Sequence, residues 1–441
     1  MLQHKQFANG FQVIYEKPDS NIPISSVHIF VNLGNIHSPH GLNGVTHFIE
    51  HMCFKGTSHH PDFNKIVLHY TDIGATWNAY SFQRYTVFVL KCQDIFLPHC
   101  IKLLAEELLT SKFALTEFKK EEKVVIAENI MMSDDPKVIL EKMTNRLLYE
   151  NTLYEYPIDD IAYHKKKYDY KTVVDFYKQN YVPSNMIFSI TSNVAFSSIL
   201  NTLKKTAFHK GQKPVASPIH SQLLPYLLVP PRINGVKYEI NHLKKLNSIF
   251  LNVAFQTCNQ YNDDKYVLNF FADILCNSAT SRLNRILRQE NGLIYSIHAS
   301  TNYYECGGDF IISTQFNSAS FIQKNKPSVL PLIIKELNHL IHSGITQREL
   351  TTFKHNSRGK LIMSLENSDT QTNHNGFSLL YKSPGEVVPL KNIYKKYYES
   401  ITKAQVNACI RAYVRLEHMC VSVVGSDIPS LERIAAECNK L

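Results

Sequence analysis

The chain reads as an α+β protein built from two related domains, each a mainly antiparallel sheet covered by helices on one face. Three observations predict this. Strand-like and helix-like segments alternate through the first half, the same order of elements returns in the second half, and a proline-crowded stretch separates the two. At 441 residues, with 44% hydrophobic and 19% charged residues, the chain has material for more than one ample core.

In chain order, Gly10 to Tyr15 is a strand-like run, and Val27–Val31 and Thr86–Leu90 are β-branched and aromatic runs that predict strands. Ile101 to Leu109 carries apolar residues at helical spacing, as does the segment from Glu121 to Ile130, with Pro136 closing the pattern. Met186–Ile190 is a further strand, followed by a helix around Ile199. Pro214, Pro218, Pro225, Pro230 and Pro231 then mark a linker, which divides the chain into domains 1–215 and 236–441 joined by residues 216–235. The second half repeats the scheme: strand Ser248–Phe255, helix Tyr266–Leu275, strand Asp309–Thr314 and a helix over about Leu330–Ile341. Thr346-Gln347-Arg348-Glu349 is a capping box that opens another helix ending near Met363. The repeat is weak in identity but consistent in order. Helix Tyr266–Leu275 stands where the first half has its histidine-bearing helix and contains no histidine, so one chain is expected to hold one metal site.

That histidine-bearing helix is His47-Phe48-Ile49-Glu50-His51. Residues four apart on a helix are separated by about 40° around its axis, so His47 and His51 face the same way with Glu50 on the flank. Two neutral imidazoles and one further ligand make a catalytic zinc site, and a neighbouring carboxylate can act as the base for attack by water. The missing ligand should be a carboxylate on another rigid element. Glu121 and Glu128, two turns apart on the later helix, point from nearly the same face, and a carboxylate on a buried face needs a cation beside it.

Together these segments resemble the pitrilysin-type metallopeptidases, whose defining motif is the same H-x-x-E-H inversion of the common zinc-protease helix. Glu128 follows His51 by 77 residues, at the family's spacing for the glutamate ligand. Phe54-Lys55-Gly56-Thr57 follows the helix as in the family, with Gly56 placed to end it. Gly74-Ala75-Thr76-Trp77-Asn78-Ala79-Tyr80 is similar to the family's G-A-x-x-N-A-Y strand, and Ser281-Arg282-Leu283 with Arg288 to Tyr295 is similar to its S-R-L…R-x6-Y segment. Two stretches depart from the pattern: Ser81-Phe82-Gln83-Arg84 after the strand, and Cys276-Asn277-Ser278-Ala279-Thr280 in place of a glycine-rich turn.

The resemblance implies a fold that forms half of a clam-shell chamber and a zinc-dependent endopeptidase. One Zn2+ per chain would be held by His47, His51 and Glu128, with Glu50 as general base and Glu121 supporting the metal site. Asn78, Ala79 and Tyr80 would lie on an edge strand that receives the peptide substrate by strand addition. Arg288 and Tyr295 would face the substrate, Tyr295 also serving the oxyanion. Full-length relatives carry both shell halves in one polypeptide. A chain of half that size is therefore expected to act as a homodimer whose site is completed in trans, or as a heterodimer with a related subunit. A non-catalytic structural or assembly subunit of the same fold is the competing reading.

Composition excludes other classes. A net charge of +9 over this length is mild, and Lys165-Lys166-Lys167 is the one dense basic run, so nucleic-acid binding is not expected. No stretch reaches the length of a membrane-spanning helix. The nine cysteines lack C-x-x-C pairs and read as free thiols of a reducing compartment, Cys53 as a small buried apolar residue. With a strand-like run so close to the N-terminus, no signal or transit peptide is expected, and the predicted location is cytoplasmic.

Overall fold

The structure is a computed structural model that describes residues 2–39, 42–155, 168–211, 232–244, 246–323 and 326–438. Lys165–Lys167 and residues 216–231 of the expected linker lie outside the described residues.

The chain forms two compact units. The first is built on a six-stranded sheet of β1 (Leu2–Gln6), β2 (Gln12–Glu16), β3 (Ile24–Val31), β4 (Thr76–Ser81), β5 (Thr86–Gln93) and β6 (Met186–Thr191). Their order is β1-β2-β6-β3-β5-β4, with β2 and β6 parallel and every other neighbouring pair antiparallel. The second contains β7 (Lys237–His242), β8 (Ile249–Thr257), β9 (Ile294–Tyr303), β10 (Gly308–Phe316) and β11 (Cys420–Gly425). Its order, β7-β11-β8-β10-β9, repeats the first sheet without β1, down to the single parallel pair β7–β11. The repeat that sequence identity barely shows is thus complete in topology, and both sheets are mainly antiparallel as expected.

In the first unit, Val13, Ile29, Phe88 and Phe188 pack into a core with three helices, α1 (Val45–Cys53), α2 (Phe63–Thr71) and α3 (Leu97–Leu109). The residues between them, Ile14, Phe30, Val87 and Ile187, form a second core on the opposite face. Strands buried on both sides read as continuous apolar runs rather than alternating ones, which is why they were legible as strands but not as two-sided.

Both faces are covered, not one, and the covering helix comes from the far half of the chain. Helix Ser368–Tyr381 packs on β2, β3 and β6 of the first unit. There Ser189 Oγ donates to the Thr372 carbonyl (2.6 Å), and Asn375 Nδ2 donates to the buried Glu16 carboxylate (2.7 Å). The second unit takes its cover in return. After α4 (Leu115–Ser133), Pro136 starts α5 (Pro136–Tyr149) as its first residue. Helix α5 packs on β7, β8 and β11, with Asn252 Nδ2 donating to Thr144 Oγ1 at 3.0 Å. The compact units are therefore 1–131 with 158–224 and 361–392, and 132–157 with 225–360 and 393–441, rather than two continuous halves. Local periodicity signals a helix but does not say which sheet it will cover, so this exchange had no mark in the sequence. All nine cysteines are free and buried. No helix among the described residues is long and apolar enough to cross a membrane.

Gly376 lets helix Ser368–Tyr381 lie directly on its sheet, since a Cβ there would overlap the Phe30 ring and the Ser189 side chain. Gly376→Leu should lower stability by about 2–4 kcal/mol through overpacking, read as a drop in thermal midpoint relative to wild type.

Candidate metal centre

Helix α1 is anchored by Val45, Thr46, Phe48, Ile49, Met52 and Cys53, all of them buried. That stripe leaves His47 and His51 side by side and half-buried, their rings edge-on with centroids 4.6 Å apart. The helix is entered at Gly44, whose φ of 82° is left-handed and whose N–H donates to Asn35 Oδ1 at 3.0 Å. It ends at Cys53, with Phe54 as its C-cap, so Gly56 does not end it as expected. Gly56 instead makes the turn beyond, at φ 128°, where a Cβ would overlap the Pro61 carbonyl.

Helix α4 brings the remaining groups. Phe118, Glu121, Val125 and Glu128 fall at helical spacing along one face. Phe118 packs edge-on against Phe48 of α1 at 4.7 Å, and Val125 is buried in the same core. The apolar contact between the helices thus sets the two glutamates beside the two histidines. His47 Nε2 and His51 Nε2 are 3.0 Å apart, and His51 Nε2 is 3.5 Å from Glu128 Oε2. One donor atom from each of the three residues lies within 4.8 Å of the others, an arrangement found at no other such group among the described residues. Bonds of about 2.0–2.1 Å to a tetrahedral zinc ion put neighbouring donors roughly 3.3 Å apart, so the set fits that ion.

Glu121 is buried, and both of its oxygens are occupied. Oε1 accepts from His51 Nδ1 at 2.8 Å, and Oε2 pairs with Lys55 Nζ at 2.7 Å. Burial acts to raise the pKa of this carboxyl, but the hydrogen bonds from His51 and Lys55 outweigh it and hold the group below its ordinary value. A carboxylate that accepts from Nδ1–H places the ring's lone pair on Nε2, toward His47 and Glu128. Glu121 thus meets the site from behind His51, through Nδ1, and not from the side of the converging Nε2 atoms. Glu50, 7% exposed, accepts a hydrogen bond from Ser81 Oγ at 2.6 Å.

Ser81 closes β4, an edge strand as expected. Trp77 and Ala79 share its face: Trp77 stacks on Tyr70 of α2, and Ala79 is buried in the α1 core. Asn78 and Tyr80 point from the opposite, exposed face, where Asn78 Nδ2 donates to the Tyr80 hydroxyl at 3.1 Å. Of the three predicted strand residues, only Ala79 faces α1.

Arg288 and Tyr295 lie together in the second unit, the guanidinium 5.5 Å from the ring centroid. Tyr295 is 82% exposed on edge strand β9, the counterpart of β4. A cavity of about 550 Å3 opens beside Arg288, lined also by Asp273, His298 and Lys360. Arg282 of the S-R-L segment has a structural role. It grips Glu349 through Nε (2.6 Å) and Nη2 (2.8 Å), and Glu336 through Nη1 (2.8 Å). Sequence reasoning missed Ser81 and Lys55 as site residues. Lys55 lies one turn beyond His51 and could have been found by that spacing, whereas Ser81 reaches Glu50 only through the packing of β4 against α1.

Two family models match the chain: "Insulinase (Peptidase family M16)" over residues 13–160 and "Peptidase M16 inactive domain" over residues 167–357. Among curated proteins, the chain is 25% identical over 376 residues to "Uncharacterized zinc protease YmxG" of Bacillus subtilis, covering 85% of this chain and 87% of that protein. It is 25% identical over 215 residues to bovine "Mitochondrial-processing peptidase subunit beta", covering 48% of this chain and 43% of that protein. Among solved structures, a protease from Helicobacter pylori superposes with a TM-score of 0.85 at 18% identity, covering 96% of this chain and 99% of that one.

Glu121→Gln removes the charge that orders His51 and Lys55 while keeping the side-chain shape. Zinc affinity, read by competition with a chromophoric chelator, should fall about 10- to 100-fold with the fold intact.

Proposed function

Because the chain belongs to peptidase family M16, we propose that it is a zinc-dependent endopeptidase with His47, His51 and Glu128 as the ligands of one Zn2+ and Glu50 as general base. The observation that carries this reading is the convergence of two imidazole nitrogens and one carboxylate oxygen, 3.0 and 3.5 Å apart, on a helix that also presents Glu50. Zinc, when bound, supplies Lewis acidity toward the scissile carbonyl and the attacking water.

The remaining chemistry belongs to the chain's own residues. Glu50, with its carboxylate fixed by Ser81, takes the proton of the attacking water and delivers it to the leaving amine. Glu121 keeps His51 in the ligand tautomer. The outer edge of β4, around Asn78, Ala79 and Tyr80, pairs with the backbone of an extended peptide, which gives affinity without strict sequence demand. Arg288 and Tyr295 bind the substrate, and the Tyr295 hydroxyl donates to the developing oxyanion. Tyr295 is well suited to an incoming ligand: it is 82% exposed, its ring is held against Arg288, and its hydroxyl has no hydrogen-bond partner among the described residues.

We assign the active species as a homodimer forming a closed chamber, in which Arg288 and Tyr295 of one subunit serve the metal centre of the other. A related non-catalytic subunit in place of the second copy is the alternative, favoured by the relative whose name marks it as one subunit of a processing peptidase. Extended peptides that fit such a chamber are the substrates. Nine free, buried thiols support a reducing, cytoplasmic setting.

Glu50→Gln should lower kcat on a fluorogenic peptide by about 10²- to 10⁴-fold while zinc content stays at wild-type level; unchanged turnover would remove Glu50 from the mechanism. Mixing Glu50→Gln with Tyr295→Phe subunits should restore activity above either variant alone, and the absence of any recovery would exclude completion of the site in trans.

A further inference from the structure

A second concentration of histidines lies in the first unit, away from the α1–α4 centre. His59 and His60 sit in the loop after α1, His69 in the last turn of α2 and His99 in the first turn of α3. His59 and His60 pair with Glu106 of α3, and His69 and His99 extend the row through ring contacts. Glu106 Oε2 is 3.0 Å from His60 Nδ1 and 3.4 Å from His59 Nδ1. The His60 ring is edge-on to that of His69 at 4.6 Å, and His69 is 5.1 Å from His99.

The loop that supplies the first two rings is rigidly built. Thr57 is fully buried, and its Oγ1 accepts the backbone N–H of His59 (3.2 Å) and of His60 (2.9 Å) while donating to Glu106 Oε2 at 3.3 Å. The Thr57 N–H closes the turn on the His60 carbonyl at 2.6 Å. A His60–Glu106 hydrogen bond alone would be ordinary surface chemistry. A second imidazole at the same carboxylate and a continuous row of rings from His60 through His69 to His99 are not explained by it, and neither His69 nor His99 has a hydrogen-bonded ring nitrogen among the described residues.

Imidazole nitrogens with a single carboxylate oxygen form a donor set suited to zinc, nickel or copper, and poorly suited to magnesium or calcium. We propose that His60, His69 and Glu106, with His59 or His99 completing the set, form a second site for a divalent transition-metal ion, separate from His47, His51 and Glu128.

Closing the set on an ion requires ring rotations, since its donors do not yet lie within 4.8 Å of one another. His59 is 69% exposed and His99 is exposed, so the rings have room to turn and the ion exchanges with solvent. Binding here is accordingly weaker than at the prearranged α1–α4 centre. An occupied site would tie the 57–62 loop to α3 and to α2, which packs on β4 through Tyr70 and Trp77. The proposal does not depend on the peptidase reading, because it concerns residues outside that centre and is read by metal binding rather than turnover.

The test is calorimetric titration of the chelator-stripped full chain with zinc chloride near neutral pH. Wild type should show two classes of site. The double variant His60→Ala/His69→Ala should lose the weaker class alone, and His47→Ala/His51→Ala the tighter class alone. A single class in wild type, or two classes persisting in His60→Ala/His69→Ala, would overturn the proposal. Histidine footprinting with diethyl pyrocarbonate needs no variant. In wild type, zinc added beyond one equivalent should protect His60 and His69 from modification, and equal labelling with and without that excess would also overturn it.

Discussion

The hydrogen bond from His51 Nδ1 to Glu121 ties together the two helices on which the candidate centre is built. It joins α1 to α4, decides which nitrogen of His51 carries the lone pair, and gives the buried Glu121 carboxylate a reason to be where it is. Burial acts to raise the pKa of that carboxyl, but the hydrogen bonds from His51 and Lys55 and the Lys55 charge hold it below its ordinary value. The His51 ring takes part in all three contacts, with Glu121 through Nδ1 and with His47 and Glu128 through Nε2. Beneath it, Phe48 on Phe118 holds the helices in register by packing alone.

The two units solve the same folding problem with the same strand order, yet only one carries a metal-ligand cluster among the described residues. In the first unit, the helix between the third strand and the edge strand presents histidines at two of its less buried positions. In the second, the corresponding helix Asp264–Leu275 buries Val267, Leu268, Phe270, Phe271, Ile274 and Leu275 and carries no histidine. Charged groups in the second unit serve the fold instead. Arg282 is held between Glu336 and Glu349, and Glu349 also caps its own helix through Thr346. That triad accounts physically for a segment that sequence resemblance marks without explaining.

The exchange of helices between units makes each sheet depend on a segment distant in sequence. Phe30 and Ile187 would face water without helix Ser368–Tyr381, and Val424 would do so without α5. Neither half of the chain contains all of its own second core.

Much of this was legible in the sequence. The strands Val27–Val31, Thr86–Leu90, Met186–Ile190 and Asp309–Thr314 announce themselves because residues buried on both sheet faces leave unbroken β-branched and aromatic runs. The capping box at Thr346 is visible because capping is a contact between residues three apart. His47, Glu50 and His51 could be placed on one helix because their geometry is set by helical pitch alone. What only the tertiary structure decided are the relations that cross between elements: that Ser81 reaches Glu50, that Glu121 and Lys55 close on each other behind His51, that Asn78 and Tyr80 turn away from α1 while Ala79 faces it, and that His60, paired with Glu106, meets the rings of His69 and His99. Spacing along a chain encodes contacts within one turn or one pleat, whereas these depend on where separate helices and strands come to rest, and that is set by the packing of apolar side chains that carry no chemistry of their own.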